Sequence, residues 1–256
     1  VGNYYFLAAS LPPLSFGEKP DISFDELSSR LKINLNKVDY KKSEVLRRLI
    51  DLGNIRCLLT EEAIDSRGNL SEKELDEALL VKADLPLYAF DFLERFETAA
   101  EKLRFFPGLL ATYFNEEGVK QRGFLKEYLQ FERAWRLIIL ALRAKELGRD
   151  IEKELAFEDP KDPLVADILA QKGEISYTPF VEYADLKEKF LSCGKDPWQQ
   201  YRVVTEWRMS HIEEIVQSPL FSIDWILSYI ARLLLVEQWC ELDPEKGKVI
   251  LEAFLE

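Results

Sequence analysis

Gly118–Gly148, GVKQRGFLKEYLQFERAWRLIILALRAKELG, is the longest uninterrupted helical pattern in the chain. Phe124, Tyr128, Phe131, Trp135, Ile138 and Leu142 recur at alternating steps of four and three, which gathers them on one stripe of a helix. Leu125, Leu129, Leu137 and Leu140 form a second stripe. From Ala134 to Ala144 nearly every residue is apolar apart from Arg136 and Arg143, so this helix is expected to be enclosed on most sides. About 30 residues at 1.5 Å each would run roughly 45 Å, the long axis of a domain this size. The stretch reads as a core strut.

On its N-terminal side, LLATYF reads as a short helix leading into the strut, and Pro107-Gly108 as the end of an aromatic-rich helix that Pro86 opens and that carries Phe90, Leu93, Phe96, Ala100 and Leu103. Ser71-Glu-Lys-Glu74 and Ser23-Phe-Asp-Glu26 have capping-box spacing, the first after a turn at Gly68-Asn69 and the second opening a helix to about Asn34. Between them a helix from Asp39 carries Val45, Leu46, Leu49, Ile50 and Leu52. Gly53-Asn54 should break or bend it at a cost of about 1 kcal/mol relative to Ala. Residues 4–11, YYFLAASL, are a buried segment, helical or extended, closed by Pro12-Pro13.

On its C-terminal side, the charged tract DIEKELAFEDPKDP is the candidate hinge or exposed crossing, around 150–163. Asp162-Pro163 and Asp196-Pro197 each read as N-cap and first helical residue. A short helix covers Tyr183–Leu191. Pro219 stops the helix from Asp196, Ser222 or Asp224 begins the last long one, and Asp243-Pro244 caps a terminal helix with Ile250, Leu251 and Phe254. No stretch reads as alternating strands, so residues 1–256 are expected to form a single all-α domain, a multi-helix bundle with long central helices. Three apolar segments recur loosely, around 39–61, 116–148 and 198–242. Degenerate repeated bundles and ordinary core patterning both account for them.

Composition narrows the function classes. Hydrophobic residues at 47% and charged residues at 31% are the mix of a soluble globular protein. A net charge of -12, with a pI near 4.9, and no basic run argue against nucleic acid as a partner. The most apolar windows, Trp225–Val236 and Leu137–Leu142, contain or adjoin Arg and fall short of the roughly 18 residues of a bilayer span, so no direct span is expected. Cys57, Cys193 and Cys240 are odd in number and far apart, which suits reduced thiols in a cytoplasm. No basic n-region precedes an apolar one at the N-terminus, so no secretory signal is read there.

The search for chemistry returns no catalytic, cofactor-binding or metal-ligating residues. The lone His211 has Arg208 three positions before it, which fails the Glu-x-x-His pattern of a helical di-metal site, and it reads as a packing histidine. No Asp-Asp-x-x-Asp cluster, phosphate loop or nucleophile elbow occurs; Asp159-Pro-Lys-Asp162 reads as a loop with an N-cap. Asp65-Ser-Arg-Gly-Asn-Leu has the look of a calcium loop, yet Arg67 occupies a ligand position and Gly68 falls at the wrong offset. Arg136, Arg143 and Arg232 interrupt apolar helix faces. They read as members of structural ion pairs with carboxylates such as Glu132 or Glu237, the sharper alternative being anchors for a partner's carboxylates.

The opening Tyr4-Tyr-Phe-Leu-Ala-Ala-Ser-Leu-Pro-Pro-Leu14, the segment Pro219–Trp239 and Asp243-Pro-Glu-Lys-Gly247 resemble an uncharacterised bacterial family whose genes lie among those for V-type ATPase subunits. Phe131-Glu-Arg-Ala-Trp-Arg-Leu-Ile-Ile-Leu-Ala-Leu-Arg-Ala-Lys-Glu-Leu-Gly148 is similar to the Leu-x-x-x-Leu-Arg-Ala-Lys helices of the C-type connector of V-type ATPases, the socket called d in eukaryotes, and Leu52–Leu59 echoes the same helix type. Trp135 and Arg136 depart from that pattern, standing where those connectors tend to have an acidic residue and Asn-Leu, and the chain is shorter than typical members. The resemblance implies a non-catalytic, all-helical connector on the cytoplasmic face of the membrane, with V-type ATPase central-stalk subunits and the membrane rotor ring as partners. The alternatives are an assembly factor or adaptor for the same complex, and a small-molecule enzyme with a helical pocket.

Overall fold

A computed structural model describes residues 4–216 and 219–242. Among these the chain forms twelve α-helices and one 3-10 turn, with no strand. The helices are α1 (Tyr5–Ala9), α2 (Phe24–Asn34), α3 (Lys37–Thr60), α4 (Glu72–Val81), α5 (Leu87–Arg95), α6 (Ala99–Lys120), α7 (Phe124–Glu146), α8 (Ile151–Glu154), α9 (Pro163–Ala170), α10 (Ala184–Ser192), α11 (Pro197–Ile215) and α12 (Ile223–Cys240). The all-α expectation holds. No helix among the described residues is long and apolar enough to cross a membrane. The terminal helix expected after Asp243 lies outside them.

The helices group into two compact units. One comprises the described residues within 1–36 and 184–256, and the other is Lys37–Tyr183. Both junctions lie outside 150–163, the tract read as a candidate hinge, which sits within the second unit.

In the first unit, α12 is the apolar centre: Ile226, Leu227, Ile230, Leu233 and Val236 are all fully buried. It packs against α11 and α2, and Tyr229 donates its hydroxyl hydrogen to the Pro12 carbonyl at 2.9 Å. Tyr4 N–H donates to the Phe221 carbonyl at 2.9 Å, which fixes the YYFLAASL segment beside the start of α12 and lets it close as the short helix α1. The helix starts are those the sequence marks. Ser23 accepts from Glu26 N–H, Asp196 from Trp198 and Gln199 N–H, and Ser222, not Asp224, caps α12 by accepting from Trp225 N–H at 3.2 Å. Ser222→Ala is expected to lower stability by about 1 kcal/mol, measured by denaturant unfolding, because it returns an orphan N–H to solvent.

In the second unit, α7 packs against α6, α8 and α9, and α3 and α5 close on the other side of α6. Phe124, Tyr128, Phe131, Ile138 and Leu142 of the first stripe are buried as expected, while Trp135 is half-buried beside Arg136. The strut is shorter than the sequence pattern: it spans 23 residues, about 35 Å at 1.5 Å per residue. Gln121–Gly123 separates it from α6, with Gly123 at φ 59 supplying a backbone turn that a residue with a Cβ resists.

Three other boundaries are corrected. α3 runs unbroken through Gly53-Asn54, because Asn54 is buried and its side chain is committed to the following loop. Pro107 does not end a helix; it sits inside α6, so LLATYF belongs to that helix. The real stop is Phe96, after which Thr98 and Glu101 form a capping box that restarts the chain as α6.

Candidate functional site

The concave feature of the second unit lies between α6 and α7, where Pro107-Gly108 interrupts the ordinary surface of α6. A Cβ on Gly108 would lie 3.0 Å from Phe157 Cδ1, so the missing side chain is what lets the Phe157 ring seat against the helix backbone. Phe157 also meets Phe105 edge-on at 5.9 Å. The resulting cleft holds about 110 Å³ and is walled by Pro107, Leu110, Ala111, Phe114, Leu137 and Leu140, with Arg133, Arg136, Glu154 and Glu158 at its rim. That is room for one apolar side chain, well under the roughly 300–1,000 Å³ of clefts that enclose drug-sized ligands.

The rim charges are already engaged. Arg133 donates from Nε and Nη2 to Glu158 Oε2 at 3.0 and 2.6 Å, and from Nη1 to Asp162 Oδ2 at 3.0 Å. The other oxygen of Asp162 accepts from Leu164 and Val165 N–H, so one carboxylate both caps α9 and ties its start to α7. Arg136 donates to Glu132 Oε2 at 3.2 Å, and its guanidinium lies 5.8 Å from the Phe114 ring and 5.0 Å from the Trp135 ring. Glu132 is fully buried, so this cation offsets a carboxylate held out of water. The ion pair read for Arg136 is the one formed. Arg232 pairs with Glu213 rather than Glu237, which instead accepts from Phe24 N–H at 2.7 Å; Arg143 is exposed.

A second polar cluster fastens the loop 65–70 to α3. Asp51 Oδ1 accepts from the N–H groups of Asn69 at 2.6 Å and Leu70 at 3.2 Å, and Oδ2 from Asn69 Nδ2 at 2.7 Å. Asn54 exchanges two bonds with the Asp65 backbone, at 2.9 and 2.8 Å. Arg47 donates to the carbonyls of Arg67 and Gly68, and Arg67 folds back on the Asp65 carboxylate at 2.8 Å. Burial pushes the Asp51 carboxyl above the usual carboxylate range, against the three donated hydrogen bonds and the nearby Arg47 cation. The calcium-loop likeness is therefore a latch whose would-be ligand oxygens face Arg67 and backbone donors. Its spacing reveals nothing of Asp51, 18 residues before Asn69; the available signal is a polar Asp51 and Asn54 set inside an apolar helical run.

Other buried ionisable groups are likewise tethered. Glu117 accepts from Arg48 at 2.9 Å and from Tyr88 at 3.4 Å, and burial with that carboxylate nearby raises the Tyr88 phenol above its ordinary range. His211 stacks on Trp207 at 4.5 Å, with Nδ1 3.3 Å from Glu214, the packing role read from the sequence. Cys57, Cys193 and Cys240 are free thiols. Among the described residues no group of three or more His, Cys, Asp or Glu side chains is placed to hold a metal ion.

These features define an all-helical protein of two units whose buried charges fasten helices and loops to one another. The chain belongs to the family described as protein of unknown function (DUF2764), which matches residues 1–255. It is similar to an uncharacterized protein of Chlamydia muridarum, 26% identical over 257 residues that cover 98% of this chain and 97% of the relative. A Chlamydia trachomatis relative is 25% identical over 96% of this chain and 95% of its own length, and one from Chlamydia pneumoniae 24% over 97% and 96%. No solved structure matches.

Proposed function

We propose that this chain is a non-catalytic connector of a V-type ATPase or ATP synthase, joining the central stalk to the membrane rotor ring from the cytoplasmic face. The observation that carries the reading is the position of α7. The segment that resembles the helices of the C-type connector is the enclosed strut of its unit, with 12 of its 23 residues buried. A coupling element must pass torque without deforming, and helices packed at native density resist compression. Cross-ties of the kind Arg133 makes to Glu158 and Asp162 serve the same end, since they join α7 to the segment before α9 by bonds that a shear motion would break. The small apolar cleft and the engaged rim charges favour this reading over a helical enzyme, which needs convergent groups facing a larger cavity.

The test is purification of the tagged full-length chain from its native membranes, with and without detergent, followed by quantitative mass spectrometry. Stalk and ring subunits should be recovered in near-stoichiometric amounts. Recovery alone, or with unassembled subunits only, overturns the connector; the latter result is the mark of an assembly factor.

A further inference from the structure

The end of α4 and the start of α5 carry an apolar surface that the fold leaves unused. Leu80 is 83% exposed, Val81 58% and Leu87 74%, all within eight consecutive residues. The same two helices bury Leu75, Ala78, Ala89 and Phe90, so the outward trio is additional to a complete inner face. The connection between the helices is built to a fixed shape. Lys82 (φ 57) and Asp84 (φ 63) both adopt the left-handed region without being glycine, a conformation costing about 1 kcal/mol or more each. Lys82 also pairs with Glu94 of α5.

The charges around the trio select what can cover it. Residues 72–97 hold eight carboxylates against three cations, Lys73, Lys82 and Arg95. Glu72, Asp76, Glu77, Asp84, Asp91 and Glu97 are all exposed. An anionic bilayer or a nucleic acid would be repelled. A second copy would bring the same charge of -12 and no basic run. We propose that Leu80, Val81 and Leu87 seat a basic amphipathic segment of a partner protein, its apolar stripe on the trio and its Lys and Arg side chains on the surrounding carboxylates. The proposal stands apart from the connector reading.

The test places the photo-crosslinker p-benzoylphenylalanine at position 87 of the full-length chain in cells that make the protein natively. The expected cross-link joins a segment of another protein whose apolar stripe is flanked by Lys or Arg. A synthetic peptide of that segment should then bind the purified chain. Leu80→Ser with Leu87→Ser should weaken binding at least about tenfold, since two largely exposed leucines lose their burial. Raising salt from about 0.05 to about 0.3 M should weaken the unaltered complex by about tenfold, and Glu77→Gln with Asp91→Asn should reduce that dependence. The absence of a cross-link, a link to lipid, nucleic acid or a second copy, a segment without basic flanks, or equal binding by the serine variant overturns it. A basic segment from outside the rotary ATPase keeps this surface and removes the connector. Stalk subunits that co-purify without a cross-link at position 87 do the reverse.

Discussion

Trp207→Ala is expected to lower the stability of the first unit by about 3–5 kcal/mol, the range for truncating a large buried aromatic. The indole is 2% exposed, and it stands at the middle of α11 where that helix meets α10 and α12. One face stacks on His211 at 4.5 Å with an interplanar angle of 24°. Its Nε1–H donates to Asp185 Oδ2 at 2.7 Å, and the other oxygen of that carboxylate accepts from Leu186 N–H at 2.8 Å, near the start of α10. The side chain therefore fills space and fixes a helix start at once. Trp207→Phe separates the two contributions: most of the apolar volume stays, and Asp185, which is half-exposed, turns to water for the missing donor. A loss of only about 1 kcal/mol is expected for that variant. Denaturant unfolding gives the magnitudes, and hydrogen exchange at α10–α12 amides locates them. Equal losses for Ala and Phe would assign the effect to the hydrogen bond and refute the burial argument.

The parts of this fold that were legible in the sequence are those decided within four residues. Ser23, Ser71, Asp162, Asp196 and Ser222 each cap the helix that follows, because a cap is a bond between a side chain and a backbone N–H two or three positions on. Interruptions were less legible, since a glycine or a proline states only a local cost. At Gly53-Asn54 a cost of about 1 kcal/mol is outweighed by Asn54, whose amide is bonded to the Asp65 backbone, and by buried Leu52 and Ile55 on either side. At Pro107 the interior of α6 loses one hydrogen bond yet keeps buried Phe106 and Leu109. Conversely, the apolar spacing runs smoothly across Phe96–Thr98, where the chain stops and restarts; the Thr98-x-x-Glu101 capping box was the sign of it. The site residues were the least legible. Arg133 finds Glu158 25 residues away and Asp51 finds Asn69 18 residues away, and no periodicity encodes a pairing made by tertiary packing.

Asp51→Ala should lower the stability of the second unit by about 3 kcal/mol, as three donors lose their acceptor and the loop 65–70 loses its main fastening to α3. Two of the donors are backbone N–H groups, of Asn69 and Leu70, immediately before the Ser71 cap, so the loss should spread into the first turn of α4. Relief from burying a carboxylate offsets part of the cost, because Asp51 is 2% exposed and burial is the main influence on its titration. That influence sets a pH dependence with a definite sign. The folded carboxyl has a raised pKa, so its contribution is fully present below the ordinary Asp range and is lost as pH rises through the raised value. Asp51→Asn, which cannot ionise, should flatten that segment of the stability curve while losing one bond, since its amide would point a donor at Asn69 Nδ2. The neighbouring glycine gives a second handle on the same latch. A Cβ at Gly68 would stand 2.6 Å from Asp51 Oδ1 and 3.0 Å from Asn54 Nδ2, so Gly68→Ala must displace a carboxylate already held by three donors. Because Gly68→Ala and Asp51→Ala disrupt one network, their combined cost should fall short of the sum. Urea unfolding of the four proteins and the double variant across pH 3–8 measures all of this. Full additivity, or a pH profile unchanged by Asp51→Asn, would remove Asp51 from the centre of the latch.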